Sequence, residues 1–154
     1  KTASLLSTCC QIGAASASGD PSRTELMREF GENIGMVFQI RDDLLDYTGP
    51  KSITGKPTGI DVKEKKLTLP LIHSLARAPR SESKPIVSLI RKAASGKDIQ
   101  QIVDFAEAYG GIEYALKKAG EYSERAHEAL APLPPSESRT SLENFVGYMM
   151  DRTK

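Results

Sequence analysis

Tryptophan is absent from this 154-residue sequence, and aromatic residues make up only 6% of it. A chain of this length forms one ordinary domain that buries about two thirds of its unfolded surface. With 39% hydrophobic residues and so few rings, the core must be built from Leu, Ile, Val, Ala and Met. Cysteine is equally scarce. Cys9 and Cys10 are neighbours, which excludes a disulfide framework and a CxxC zinc site. Both are expected to be packing residues in a reducing, cytoplasmic setting. An excess of one charge is also missing. The 21 basic and 20 acidic residues leave a formal charge of +1, so nothing steers the whole chain towards nucleic acid or an anionic membrane. Any anion site must be local. No run of 18 apolar residues exists to span a bilayer, and the N-terminus lacks the pattern of a secretion signal. Alternating apolar runs are absent too, which leaves an all-α chain without internal repeats.

What is present is helical periodicity. Thr2 to Ala17 forms a small, apolar helix with Leu5, Leu6, Cys9, Ile12 and Gly13 recurring at helical spacing. Pro21 or Ser22 opens the next helix, which runs from Arg23 to about Tyr47. Its apolar positions cover much of the circumference, as befits an element buried in a bundle. Gly31 and Gly35 lie one turn apart inside it. Each costs roughly 1 kcal/mol relative to Ala, which implies close helix packing or room for a ligand. Thr48-Gly49-Pro50 stops this helix, and Lys51 to Lys66 reads as a loop. Further helices follow over Leu67–Ala76, Glu82–Lys92, Lys97–Ala108, Ile112–Leu130 and Glu137–Met150, with breaks at Ala94-Ser95-Gly96 and Gly110-Gly111. The chain opens at Lys1 without a methionine, inside apolar-periodic sequence. It is expected to be either a processed natural N-terminus or a part of a longer chain.

The chemistry concentrates at the end of the long helix. Asp42, Asp43 and Asp46 form a DDxxD pattern, and one helical turn places Asp42 and Asp46 about 6 Å apart on one side. Gly35 and Gln39 extend that line towards the N-terminus. Like charges at this spacing repel, and carboxylates near a helix C-terminus oppose the dipole. Three together are unfavourable unless cations neutralise them. Hard oxygen donors without Cys or His point to magnesium, or manganese. Lys56, Lys63, Lys65 and Lys66 follow in the loop, where ammonium groups would share a phosphorylated ligand's charge with the metal. Asp61 would organise that loop or position a metal-bound water. Lys1 and Thr2 would add an ammonium and a hydroxyl. His73 and His127 have no nucleophile partner in sequence and read as packing or surface residues. The glycines form neither a Rossmann nor a P-loop fingerprint.

The stretch GMVFQIRDDLLDYTG, Gly35 to Gly49, resembles the second aspartate-rich motif of the trans-prenyl diphosphate synthases. TGKPTGIDVKEKKLTLPLI, Thr54 to Ile72, is similar to the family's lysine loop, and Lys1-Thr2-Ala3 to its KTA segment. The closing region, from Tyr109-Gly110-Gly111 to Asp151-Arg152, resembles it as well, so the likeness covers essentially the whole chain. It implies the isoprenoid synthase helical bundle, C-terminal portion. It also implies a magnesium-dependent condensation of an allylic diphosphate with isopentenyl diphosphate. Asp42 would coordinate the metal, with Asp43 and Asp46 supporting it or its waters. Lys1, Lys56 and Lys66 would contact the allylic diphosphate. Thr2 and Gln39 would hold the site and face the developing carbocation, and Phe38 would pack near the cavity. Lys65 stands where the family often has glycine. The family's first aspartate-rich motif does not occur here, so the resemblance implies that an upstream half of the same protein completes the site. A homodimer, and inactivity of these 154 residues alone, are further expectations. The competing readings are a non-catalytic partner subunit, a related isoprenoid cyclase and a helical interaction module.

Overall fold

The computed structural model describes residues 1–48, 59–92 and 96–152. They form α1 (Thr2–Ser18), α2 (Pro21–Thr48), α3 (Ile60–Lys63), α4 (Leu69–Arg77), α5 (Arg80–Arg91), α6 (Gly96–Ala108), α7 (Gly111–Leu130) and α8 (Glu137–Asp151), with no strand among the described residues. The expected stop at Gly49 and Pro50, and the loop as far as Thr58, lie outside them. Gly96, expected in a break, instead opens α6. The chain divides into two compact units.

The first unit comprises Lys1–Arg41 and Lys118–Arg152. α1 ends on Gly19, whose φ of 62° suits a residue without Cβ and whose N–H donates to the Ala15 carbonyl. Pro21 then takes the first position of α2, where its missing N–H costs nothing, and the Asp20 carboxylate accepts the Ser22 N–H at 2.9 Å. α1 lies directly on α2, and the two glycines are the reason. A Cβ on Gly31 would sit 2.6 Å from the Leu6 carbonyl oxygen, and one on Gly35 would sit 2.5 Å from Ala3 Cα. Between them the buried Ser7 hydroxyl donates to the Arg28 carbonyl at 2.9 Å. Phe30, Ile34 and Val37 from α2 form a core with Ala126, Ala129 and Leu130 from α7 and Val146 from α8. α8 is started by Ser136, whose hydroxyl accepts the Arg139 N–H, while the Arg139 guanidinium donates to the Leu133 carbonyl at 2.6 Å. Ser7 alone in α1 is buried; Leu5 and Ile12 are 65% and 62% exposed. The expectation of two packing cysteines therefore holds for Cys10, which meets the core, and fails for Cys9, which faces outward.

The second unit is Asp42–Lys117 as far as it is described. α6 packs against both α4 and α5, and Ile99, Ile102, Phe105 and Ala106 meet Tyr47, Val62, Leu71, Ile86 and Ile90 in a single core. α4 opens on Thr68 and carries Pro70 in its first turn. The Thr68 hydroxyl does not cap α4. It is paired with the Tyr47 phenol at 2.6 Å, inside the protein. Ser74, fully buried, donates to the Ala106 carbonyl at 3.0 Å and ties α4 to α6.

Candidate functional site

In the first unit, Thr2 and Gln39 meet. The Thr2 hydroxyl donates to Oε1 of Gln39 at 3.2 Å, across 37 residues of sequence. The contact depends on the close approach of α1 to α2 at Gly35, four residues before Gln39. Lys1 caps the N-terminus of α1 with its carbonyl, which accepts the Leu5 N–H at 3.1 Å, and its side chain is exposed. Phe38 is half-buried. The Arg152 guanidinium lies 4.6 Å over its ring, and Arg41 Nη2 donates to the Arg152 carbonyl at 2.8 Å. Sequence reasoning did not single out these two arginines. Arg41 stands inside the FQIRDD run, which was the signal available; nothing in the sequence placed Arg152 against Phe38.

In the second unit, the carboxylates of the acidic run have different surroundings. Asp42 is exposed, Asp43 is half-buried, and Leu44 and Tyr47 turn into the core. Asp46 is half-buried and engaged with α3. Its Oδ1 accepts the Ile60 N–H at 2.9 Å, its Oδ2 accepts the Asp61 N–H at 3.0 Å, and its backbone carbonyl accepts the Gly59 N–H at 3.1 Å. Burial pushes the Asp46 carboxyl up from its ordinary pKa, against the pull of those N–H groups. Burial likewise pushes the Tyr47 phenol up to about 12, with the Thr68 hydrogen bond acting the other way.

The described end of the lysine loop is more ordered than the sequence implied. Residues 60–63 make one helical turn, and Lys65 follows at φ 60°. That is the left-handed region, so the glycine of the resembling motif has a physical reason and a lysine here is strained. Lys66 is turned onto carboxylates of its own loop, with Nζ 2.8 Å from Glu64 and 3.0 Å from Asp61. Those hydrogen bonds, that to Glu64 foremost, raise the pKa of the Lys66 ammonium. Asp61 thus meets Lys66 through both its carbonyl and its carboxylate. Lys56 lies outside the described residues. His73 stacks on Tyr114 with ring centroids 3.9 Å apart, in keeping with a packing role.

The donor set tests the metal reading in one further respect. Among the described residues, no three His, Cys, Asp or Glu side chains gather closely enough to hold a metal ion. Asp42, Asp43 and Asp46 offer oxygen donors only, the donor type that suits a hard cation.

The sequence profile described as polyprenyl synthetase matches residues 1–106. The chain belongs to the polyprenyl synthetase family. Two relatives in this family are the geranylfarnesyl diphosphate synthase of Aeropyrum pernix and the chloroplastic solanesyl diphosphate synthase 1 of Arabidopsis thaliana. The first is 35% identical over 156 residues, taking in 100% of this chain and 48% of the relative. The second is 38% identical over 152 residues, taking in 99% of this chain and 36% of the relative. Among solved structures, a polyprenyl synthase from Caulobacter crescentus, complexed with calcium and isoprenyl diphosphate, superimposes with a TM-score of 0.91 at 33% identity. It is matched over 100% of this chain and 47% of its own. A geranylgeranyl pyrophosphate synthase from Bacteroides thetaiotaomicron gives 0.89 at 35%, over 99% of this chain and 50% of its own. The fold is thus the all-α isoprenoid synthase fold, and the chain spans a third to a half of the length of the relatives it matches, in their C-terminal half. Among the described residues, no helix of this family member is long and apolar enough to cross a membrane.

Proposed function

We propose that this chain is the C-terminal half of a magnesium-dependent trans-prenyl diphosphate synthase, which condenses an allylic diphosphate with isopentenyl diphosphate. The observation that carries the reading is the contact of Thr2 with Gln39, which joins two residues of separate motifs three residues before Asp42 on the same helix. Ionisation of the allylic C–O bond would release diphosphate and leave an allylic cation. The isopentenyl double bond would add to that cation, and the released diphosphate would take the proton lost on forming the trans alkene. Bound magnesium would supply charge neutralisation of the leaving diphosphate. Asp42 would hold it, with Asp43 beside it.

The chain's other groups have distinct tasks. Lys1, Lys56 and Lys66 would take up diphosphate oxygens, and Lys66 must exchange Glu64 and Asp61 for them. The Lys66 side chain is 58% exposed, so solvent weakens both pairs that it leaves. The oxygen dipoles of Thr2 and Gln39 and the ring of Phe38 would face the cation, where fixed dipoles act without reorganising. The upstream half of the protein would provide the opposing metal ligands and the isopentenyl diphosphate site. The exposed Leu5 and Ile12 on α1 favour a further polypeptide beside that helix. A homodimer and a cytoplasmic location complete the proposal.

The test is incubation of the complete polypeptide with an allylic diphosphate, labelled isopentenyl diphosphate and magnesium. Formation of a longer prenyl diphosphate is expected, and none from residues 1–154 alone. Ionisation of the allylic substrate to a cyclic hydrocarbon, without uptake of label, would replace elongation by cyclase chemistry.

A further inference from the structure

We infer that Asp46 is a positioning residue for the diphosphate-binding lysine segment. This rests on the function proposed above and assigns the third carboxylate of DDxxD a separate task. The N–H groups of the first turn of α3 have no acceptor within their own helix, and Gly59 before it has no side chain to cap them. Asp46 satisfies them from another helix. The N–H groups of Gly59, Ile60 and Asp61 all end on this residue, two on its carboxylate and one on its carbonyl, within 2.9–3.1 Å. Each carboxylate oxygen thus accepts one backbone N–H.

The link continues to the ammonium. Asp61, whose N–H is held by Asp46, holds Lys66 twice: its carbonyl accepts the Lys66 N–H at 2.8 Å, and its carboxylate pairs with Nζ at 3.0 Å. Asp46 therefore fixes the start of a turn whose end carries a proposed substrate lysine. Hydrogen bonds to an ionised acceptor are about twice as strong as neutral ones, so this anchor is well suited to holding a segment in place. Asp42 lies four residues earlier on α2 and is exposed.

The experiment compares Asp46→Asn, Asp46→Ala and Asp42→Asn in the complete polypeptide, by amide hydrogen exchange and by steady-state kinetics. Asparagine keeps one acceptor oxygen and the side-chain volume, so it tests the anchor without emptying the site. Loss of a charge-assisted bond should speed exchange at Ile60 and Asp61 about tenfold or more in both Asp46 variants and leave it unchanged in Asp42→Asn. The KM for the allylic diphosphate should rise about tenfold in Asp46→Asn, with the magnesium concentration for half-maximal rate unaltered. Unchanged exchange at Ile60 and Asp61 would overturn the assignment. So would a magnesium requirement that rises as much in Asp46→Asn as in Asp42→Asn. If the complete polypeptide condenses nothing, the proposed function falls, while the exchange measurement still decides whether Asp46 anchors the segment.

Discussion

The hydroxyl of Thr2 donates to the carboxamide oxygen of Gln39 at 3.2 Å, and so places the second residue of the chain against the helix that carries the acidic run. This is possible because α1 and α2 approach at Ala3 and Gly35 until backbone meets backbone. The contact turns two sequence motifs into one arrangement, and the packing that permits it can be tested directly.

Gly35→Ala should destabilise the chain by about 1–3 kcal/mol, because the new methyl has only the Ala3 backbone to displace. Gly13→Ala on α1, where an added Cβ meets nothing within 4 Å, should instead stabilise by roughly 1 kcal/mol through helix propensity. Urea unfolding of both variants reports the difference. Equal effects of one sign would show that packing at Gly35 is not what selects glycine.

Lys65→Gly should raise stability by about 1 kcal/mol, since the residue at φ 60° then lacks the Cβ that makes this region costly. Lys65→Ala keeps the Cβ and should give no such gain. Thermal denaturation of the pair separates backbone strain from the loss of a lysine charge.

Tyr47→Phe should cost about 1–2 kcal/mol at neutral pH, because the buried Thr68 hydroxyl loses its 2.6 Å partner. The phenol also sets a pH limit. Its folded-state pKa of about 12 lies above the ordinary 10.0, so its contribution is present below pH 10 and is lost as pH rises towards 12. Stability of the parent chain should therefore fall more steeply across that window than that of Tyr47→Phe. Parallel slopes in urea titrations at several alkaline pH values would refute the assignment.

Asp42→Asn in the complete polypeptide should lower kcat by about 10²–10³-fold, the usual loss when a group that stabilises developing charge is removed. Chelation of divalent cations should abolish turnover and added magnesium should restore it. Turnover that persists in excess chelator would remove the metal from the mechanism.

The all-α class, the long helix and the acidic run were legible because each is a local pattern. Apolar spacing near 3.6 residues, Pro21 at a helix start and the DDxxD line follow from chain geometry alone. Gly31 and Gly35 could be read only as close packing or room for a ligand, and the backbone of α1 against both decides for packing. The short helix at 60–63 was not legible. Four residues carry no periodicity, and the turn forms because Asp46, a residue of another helix, accepts its N–H groups.

By itself, then, the sequence determined which residue types exist for chemistry and on which helix they ride: Gln39, Asp42, Asp43 and Asp46 on α2, and Lys66 beyond it. Tertiary structure decided how those residues are engaged. It joined Thr2 to Gln39, set Arg152 over Phe38, and committed Asp46 to the backbone of α3 and Lys66 to Glu64 and Asp61. The physical reason is the range of the forces involved. Periodicity acts over one helical turn, whereas a hydrogen bond or ion pair between distant residues exists only once the core has fixed the distance between them.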